Sequence, residues 1–363
     1  MSQSSPPIRI ASLGMGWVTT HRHLPTILAN PSFKLVGLID RDEKRLQSAL
    51  KNNQSLKRAC VSKLQDVPWI NEIDAITLGS SPFSHYALIK EALQLGKHVL
   101  TEKPFTMTVP EGEELVALAE DKKLILGIVH NFQFSNGARV LDRDLASGRL
   151  GKLTSVIAIQ YSNPRRRLPK WYQDLPLGLF YDESPHLLYL LRKYAPSIPE
   201  LQSVDVVPST MGNATPACVT ARYRAFRSDG VEIPLLLVLM FETPVSEWHL
   251  TLHGEECLAD LDVFRDIYIR LPNDGLHVTS TVVRTSMLAS LQHWGQHFTS
   301  GVSHLLGTLR YGNQEVFGRF AKAVKDGVPP TDISAHDALA VLKMQHEIVA
   351  GAKGRGLLAD NDQ

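Results

Sequence analysis

A glycine turn between a short apolar run and a helical pattern constrains the fold more than any other feature. The apolar run at residues 8–13 ends at Gly14-Met15-Gly16. Two glycines allow a tight turn, and they let backbone N–H groups approach a pyrophosphate that the N-terminus of the next helix attracts. A second apolar run, at residues 34–39, ends at Asp40. This order of strand, turn, helix and acidic strand end predicts a dinucleotide-binding βαβ unit.

Three residues leave details of this unit open. Thr19 stands three positions after Gly16, where the dinucleotide fingerprint has a third glycine for close packing of helix on strand. Asp40 would accept hydrogen bonds from the adenosine ribose and repel a 2′-phosphate, whereas Arg41 could bind that phosphate. The residues favour NAD and leave NADP open. The alternative interpretation is a turn with a structural role and a solvated Arg41.

Composition and charge exclude several classes of protein. The 38 Lys and Arg residues balance 37 Asp and Glu residues, so no global field favours nucleic acid or an anionic membrane. Only 3 cysteines are present, too few for a disulfide framework, and a reducing, cytoplasmic setting is expected. The longest apolar run, residues 235–241, is far shorter than the roughly 20 residues of a membrane span. Residues 1–7 lack the apolar core of a signal peptide.

The pattern of apolar runs changes along the chain. In the first third, short runs alternate with helical patterns at residues 85–95 and 111–122, which predicts parallel strands joined by helices. The further runs of this part lie at residues 73–78, 98–100 and 124–129. After about residue 150 longer runs follow one another directly, which predicts hairpins in an open antiparallel sheet. These runs lie at residues 153–161, 204–207, 217–226, 231–241, 248–253 and 267–271.

We therefore predict an α/β domain of the Rossmann type at residues 1–130 and an α+β domain at residues 131–363 whose sheet is open and mainly antiparallel. A helix at residues 135–147 would join the two domains. Helices at residues 314–326 and 334–350 would close the chain, and the last of them could pack back on the first domain.

The segment Glu102-Lys103-Pro104 follows the fourth apolar run. A lysine at the carboxyl end of a parallel strand points into the crevice where ligands bind. Its ammonium group could hydrogen-bond a substrate hydroxyl and stabilise a developing alkoxide. A surface lysine in an ion pair is the alternative.

Residues 96–104 read G-K-H-V-L-x-E-K-P and resemble the glucose–fructose oxidoreductase/inositol dehydrogenase (Gfo/Idh/MocA) family of nicotinamide enzymes. The resemblance also covers Ser80-Ser81-Pro82 with His85, and residues 127–134, 148–152 and 327–338. It implies a Rossmann domain joined to an open-sheet domain, and a homodimer or homotetramer that associates through the exposed sheet face. The cofactor-binding residues expected are Gly14, Met15, Gly16, Trp17, Asp40, Arg41, Ser80, Pro82, His85, Glu102, Lys103 and Asn131.

Residues 178–186 look like the family's G-x-x-x-D-x-G-x-H segment, with Asp182, Ser184 in place of the second glycine, and His186. The resemblance implies that His186 removes the substrate's hydroxyl proton, that Lys103 assists, and that Asp182 orients the histidine or a hydroxyl. Ser184-Pro185 predicts a helix that begins there, so the helix dipole and Lys103 would favour neutral His186. The alternatives are a core histidine and an aspartate that caps the helix. Tyr189 stands where many relatives have a second aspartate.

Two further segments allow weaker interpretations. Three arginines, Arg165–Arg167, lie beside Trp171 and Tyr172 and could hold a phosphorylated or carboxylated sugar, or form a solvated basic loop. His293, His297 and His304 have spacing that zinc could use, but no carboxylate completes a motif, and we expect no metal. The apolar residues at 286–309 indicate a packing or dimer helix instead.

The chain is therefore expected to be an NAD(P)-dependent oxidoreductase of a sugar, sugar phosphate or cyclitol. Three alternatives stay open: glycoside elimination or hydrolysis through transient oxidation, imine reduction, and a sugar-sensing regulator without catalysis. A small-molecule substrate is expected as partner, and neither nucleic acid nor a membrane.

Overall fold

The computed structural model describes residues 6–51, 55–166 and 168–354, and the chain divides into two compact units. The first unit is Met1–Asn131 with Gly312–Lys343, and the second is Phe132–Tyr311 with the residues from Met344 onward. The sequence assigned residues 312–343 to the second domain, whereas the structure groups them with the first. Phe317 and Phe320 explain this grouping, because their rings lie 6.1 and 6.5 Å from the ring of Phe33.

The first unit contains a parallel six-stranded sheet with the order β3-β2-β1-β4-β5-β6. Its strands are β1 (Ile8–Leu13), β2 (Phe33–Asp40), β3 (Lys57–Cys60), β4 (Ala75–Leu78), β5 (His98–Thr101) and β6 (Leu126–Ile128). Its first four helices are α1 (Leu24–Ala29), α2 (Glu43–Leu50), α3 (His85–Gln94) and α4 (Val109–Asp121). The sequence analysis missed β3 and α2, because each has a single buried side chain, Ala59 and Leu46, and therefore no apolar pattern.

The second unit contains a seven-stranded sheet with the order β13-β12-β11-β7-β10-β9-β8. Its strands are β7 (Leu153–Tyr161), β8 (Glu200–Val207), β9 (Cys218–Phe226), β10 (Glu232–Met240), β11 (Glu247–Gly254), β12 (Cys257–Asp262) and β13 (Ile267–Pro272). Its helices are α5 (Asn136–Ala146), α6 (Leu179–Tyr194), α7 (Thr279–Gln296) and α8 (Val302–Leu305). Only β7 and β10 pair in parallel, so the predicted fold class is confirmed.

Two more helices follow the second sheet. They are α9 (Asn313–Asp326), which belongs to the first unit, and α10 (Ala335–Lys353), which begins in the first unit and ends in the second. Among the helices of the described residues, none combines the length and apolar character that crossing a membrane requires.

Candidate active site

Gly14, in the turn after β1, has no room for a side chain. Gly14 has a φ of +83°, and a Cβ atom there would lie 3.0 Å from the backbone of Gly79 and Ser80, at the end of β4. The first intrahelical hydrogen bond runs from the Thr20 N–H to the Gly16 carbonyl oxygen (3.1 Å). The N–H groups between those two residues therefore have no acceptor within the helix. A tight glycine turn followed by such N–H groups fits a pyrophosphate.

Gly79 takes over the role of the missing third glycine. A Cβ atom on Gly79 would lie 2.2 Å from Oγ1 of Thr19, whose side chain is fully buried. The helical segment that carries Thr19 can therefore still approach the end of β4 closely. The glycine that allows this contact follows the strand instead of lying in the helix. The sequence analysis missed Gly79, because the fingerprint has no position for it.

We expect Gly79→Ala to lower the free energy of unfolding by about 1–3 kcal/mol, because the new methyl group overlaps the Thr19 hydroxyl. Adding Thr19→Ala should recover more than half of that loss, since it removes the overlapping oxygen. Urea unfolding of both single variants and the double variant measures the coupling. The matched control is Gly318→Ala in α9, where a Cβ atom meets nothing within 4 Å. A Gly79→Ala variant as stable as this control would contradict the contact.

The Asp40 side chain forms hydrogen bonds that connect the glycine turn to the end of β2. Its Oδ2 atom accepts a hydrogen bond from the Met15 N–H (2.6 Å), and its Oδ1 atom accepts one from the Asp42 N–H (2.9 Å). The carboxylate is buried, whereas Arg41 is exposed at the surface. Each carboxylate oxygen keeps a second lone pair, so Asp40 can still accept from a ribose hydroxyl.

His85 lies behind the two turns that follow β4 and β5. Its ring is fully buried, with Nδ1 2.7 Å from the Pro104 carbonyl oxygen and Nε2 3.3 Å from the Ser80 carbonyl oxygen. Burial lowers the pKa of His85, although both carbonyl contacts oppose this shift. His85 therefore connects the two turns. It would influence a ligand indirectly, by fixing the backbone position of these turns. Pro82, also buried, opens the short 3₁₀ turn Pro82–Ser84 that leads into α3.

A buried hydrogen-bonded chain holds the segment that carries Lys103. The Thr77 hydroxyl lies 3.0 Å from His23 Nδ1, and His23 Nε2 lies 2.9 Å from Glu102 Oε1. The Lys103 N–H donates to Glu102 Oε2 (3.2 Å), and the Lys103–Pro104 peptide bond is cis. A carboxylate only accepts, so His23 Nε2 carries the proton and Nδ1 can accept from Thr77.

The charge state of Glu102 reflects these contacts. Burial opposes its ionisation, but the hydrogen bond from His23 and the charge of Lys103 hold the pKa of Glu102 below its usual value. The carboxylate is thus an anion that fixes the backbone of Lys103. The sequence analysis missed His23, because 79 positions separate it from Glu102.

His23 reaches Glu102 from an irregular helix. Thr19–His23 form a π-helical turn that runs directly into α1. Pro25 explains this turn, since proline cannot donate to the carbonyl of His21 and its ring would collide with it in a regular α-helix. Trp17, exposed at the start of this helical segment, stacks on His21 with ring centroids 4.9 Å apart.

In the second unit, the helix that carries Asp182 and His186 begins earlier than predicted. The expected start at Ser184-Pro185 is wrong, because α6 begins at Leu179 and contains Pro185. Gly178, with a φ of +57°, precedes the helix, and Thr215 Oγ1 accepts the Leu179 N–H (2.9 Å) as an external cap. His186 is the eighth residue of α6, so the helix dipole gives no reason for a neutral imidazole.

Gln345 compensates for Pro185 inside the helix. Pro185 has no N–H, so the Tyr181 carbonyl oxygen lacks its normal helical donor. The Gln345 side chain, almost fully buried, donates to that oxygen (2.6 Å) and to Ser184 Oγ (2.9 Å). The local helix-start signal is thus overridden by a glutamine more than 160 positions away.

His186 lies in a largely aromatic environment and is within hydrogen-bond distance of Tyr189. Its Nδ1 atom is 3.1 Å from the Tyr189 hydroxyl, which accepts the Phe132 N–H (3.0 Å). The rings of Phe132 and Trp248 lie 4.9 and 5.3 Å from the imidazole. Asp182 precedes His186 by four positions in α6, so both residues lie on one face of the helix.

The arginine loop is partly structural. Arg166 forms an ion pair with buried Glu183, which also accepts a hydrogen bond from Gln160. Arg165 is exposed, and Arg167 lies outside the described residues. For the zinc interpretation, no group of three or more metal-ligating side chains occurs within the part of the chain that the structure describes.

Comparison with known proteins shows what this chain is similar to. Residues 8–130 match the Gfo/Idh/MocA family model, an oxidoreductase family with an NAD-binding Rossmann fold. The match places residues 8–130 in this family. An uncharacterized oxidoreductase of Schizosaccharomyces pombe is 31% identical over 192 residues, which cover 50% of this chain and 50% of the relative.

Two other comparisons concern proteins of sugar chemistry. The dTDP-3,4-didehydro-2,6-dideoxy-α-D-glucose 3-reductase of Streptomyces antibioticus is 32% identical over 157 residues, 42% of this chain and 46% of the relative. The chain thus spans about half the length of the curated relatives it matches. The structure of KijD10, a 3-ketoreductase from Actinomadura kijaniata in complex with NADP and TDP-benzene, has a TM-score of 0.72 at 17% identity. It covers 95% of this chain and 98% of its own, which shows the shared fold.

The expected site residues of this chain are divided between its two units. The first unit carries the glycine turn, Asp40, the turns after β4 and β5, and the buried residue Asn131. The second unit carries Asp182 and His186. Within the first unit, the carboxyl ends of β1, β4 and β5 are neighbours in the sheet, which places Lys103 two strands from the glycine turn.

Proposed function

We propose that this chain is a nicotinamide-dependent oxidoreductase that interconverts a hydroxyl and a keto group on a sugar, sugar phosphate or cyclitol. The observation that carries the proposal is the strand order in the first unit. Sequential strands diverge between β1 and β4, and ligands bind at such a switch point beyond the carboxyl ends of the strands. The glycine turn follows β1 and the anchored Lys103 follows β5, the strand next to β4.

The residues of the first unit fit a dinucleotide. Gly14 and Gly16 leave the turn open to a pyrophosphate, and the N–H groups that precede the first intrahelical bond can donate to it. Asp40 ends β2 beside the turn, where it would accept from the adenosine ribose. This carboxylate supports NAD over NADP, and exposed Arg41 keeps NADP as the alternative. When bound, the nicotinamide supplies the hydride acceptor for oxidation or the hydride donor for reduction.

The proposed catalytic groups are Lys103, His186 and Asp182, carried over from the family resemblance. His186 accepts the hydroxyl proton during oxidation and returns it during reduction, which is worth roughly 10²–10⁴ in rate. Lys103 donates a hydrogen bond to the reacting oxygen and stabilises negative charge there. Asp182, one helical turn before His186, orients the imidazole or a neighbouring hydroxyl. The Tyr189 hydroxyl fixes the ring position of His186.

The substrate class rests on relatives and on the site chemistry. One relative is a reductase of a dTDP-linked keto sugar, and one protein of the same fold is a 3-ketoreductase. The buried rings of Phe132 and Trp248 pack on His186 and give it a largely apolar environment. A sugar or sugar derivative is therefore the first class to test.

A substrate panel tests the proposed function. The purified full chain is incubated with NAD⁺ or NADP⁺ and with sugars, sugar phosphates, cyclitols and nucleotide sugars, while absorbance of reduced nicotinamide is followed. The reverse reaction uses keto sugars and reduced cofactor. We expect turnover with members of one class and none with a Lys103→Met variant. Bond cleavage without net cofactor reduction would contradict a simple dehydrogenase, and so would turnover that survives Lys103→Met.

A further inference from the structure

One continuous helical segment of the second unit exposes an apolar stripe. The segment comprises α7, the π-helical turn His297–Gly301 and α8. The stripe, called the apolar seam, consists of Met287, Leu291, Trp294, Phe298, Val302 and Leu305, and each of these side chains exposes between 44 and 89% of its surface. Successive members are three or four positions apart, which is the spacing by which one helix packs along another.

The opposite side of the segment is already occupied. Gln292 exchanges two hydrogen bonds with the backbone of Arg270, at 3.0 and 2.9 Å, and Gln296 does the same with Tyr268, at 2.8 and 2.6 Å. These amides act like a strand paired with the edge of β13, and they fix α7 to the sheet. The apolar seam therefore belongs to a helix with a defined position, and the packing of its own unit leaves the seam exposed.

The charge of the segment narrows the choice of partner. Arg284 is the only Asp, Glu, Lys or Arg residue between positions 279 and 305. A helix that binds a membrane surface carries several Lys and Arg residues on its polar face, and this one does not. A transient charged partner would require complementary charges at the contact. Interfaces between identical subunits are the most apolar class, and they match this composition.

The exposed area is large enough for such an interface. At roughly 100 Å² each, the six side chains expose on the order of 600 Å², which is at the upper end of what a monomer presents. A standard interface buries about 800 Å² on each partner. The apolar seam with its immediate neighbours therefore approaches the area that a stable dimer needs.

We propose that the apolar seam pairs with the same seam of a second copy of this chain across a two-fold axis. A two-fold axis brings one surface against itself, so the partner must offer an equally long apolar stripe. Among the described helices no other exposes a comparable stripe, whereas a second copy supplies one directly. This interface differs from the sheet face that the family resemblance implies, and it does not depend on the proposed reaction.

Sedimentation velocity of the full chain over nanomolar to micromolar concentrations tests the proposal. We expect a concentration-dependent dimer for the wild type and a monomer for the Leu291→Glu/Phe298→Glu variant. The control is Ile198→Glu, which places one glutamate on another exposed apolar residue of the second unit and should remain dimeric. Circular dichroism and thermal unfolding of each variant check that the helix is intact.

A second readout needs no substitution. Trp294 is exposed in the protomer and should become buried in the dimer, so its fluorescence should shift to shorter wavelength as the wild-type concentration rises. A monomeric wild type at tens of micromolar would overturn the proposal. A folded Leu291→Glu/Phe298→Glu variant that stays dimeric would also overturn it and would assign the contact to another surface. Binding of the wild type, but not this variant, to phosphatidylcholine–phosphatidylserine vesicles would replace the second copy with a lipid surface.

Discussion

We expect Lys103→Met to slow hydride transfer strongly and to leave dinucleotide binding nearly unchanged. Methionine keeps the length of the side chain but removes the ammonium group that would hydrogen-bond the reacting oxygen. The loss of a positioned donor at a developing oxyanion lowers kcat by about 10²–10³-fold. The backbone of residue 103 should stay in place, because its N–H still donates to Glu102. Initial rates with a compound that gives turnover, and cofactor titration of the same preparation, measure both effects.

The control for this prediction is Lys122→Met, which removes an exposed lysine just after α4 in the same unit. It should keep both the rate and the cofactor affinity of the wild type. If Lys103→Met also retained the wild-type rate, Lys103 would have no catalytic role. If it lost cofactor affinity together with rate, its role would be in binding rather than in the chemical step.

His23→Leu removes the hydrogen-bond donor of a largely buried carboxylate, and we expect a loss of about 1–3 kcal/mol in the free energy of unfolding. The reason is that Glu102 would remain buried without the hydrogen bond from His23 Nε2. His23→Gln keeps an N–H donor and should lose less. Glu102→Gln added to His23→Leu should recover part of the loss, because it removes the unpaired charge. Chemical unfolding of the three variants at neutral pH gives these values.

The pH dependence supplies a separate check on His23. The pKa of Glu102 is lowered in the folded chain, so its contribution to stability is complete above the unfolded pKa near 4.5. It is lost as the pH falls below that value and through the folded pKa. The stability difference between wild type and His23→Leu should therefore shrink in acid. A constant difference from neutral pH to pH 3 would contradict the hydrogen bond between His23 and the Glu102 carboxylate.

The sequence predicted the elements whose signals are local. The glycine turn, Asp40 at the end of β2 and Lys103 after β5 all lie where a strand end meets a turn, and each is visible in a few consecutive residues. Most long apolar strands were placed to within a few residues for the same reason. The parallel pairing of β7 with β10 was not visible, because strand order depends on contacts across the whole unit.

The residues that sequence reasoning missed act across long separations. Gly79 leaves space for the Thr19 side chain, and His23 forms a hydrogen bond with Glu102. Gln345 donates a hydrogen bond to the carbonyl oxygen that lacks a donor because of Pro185. None of these pairs is visible in the sequence as a periodic pattern or as a motif with fixed spacing. The Ser184-Pro185 dipeptide is a local signal that predicted the wrong helix start. It lies inside α6 because two residues distant in sequence, Thr215 and Gln345, supply hydrogen bonds to the helix.

Thermal unfolding of the full chain with saturating NAD⁺ and, separately, NADP⁺ tests most directly whether the glycine turn binds a nicotinamide dinucleotide. A ligand at 100 times its dissociation constant adds about 2.7 kcal/mol to the free energy of unfolding, which is readily seen. Because Asp40 ends β2 beside the turn, we expect the unfolding temperature to rise with NAD⁺ and to rise less with NADP⁺. No rise with either cofactor, together with no nucleotide released when the protein is denatured, would contradict a dinucleotide-dependent enzyme.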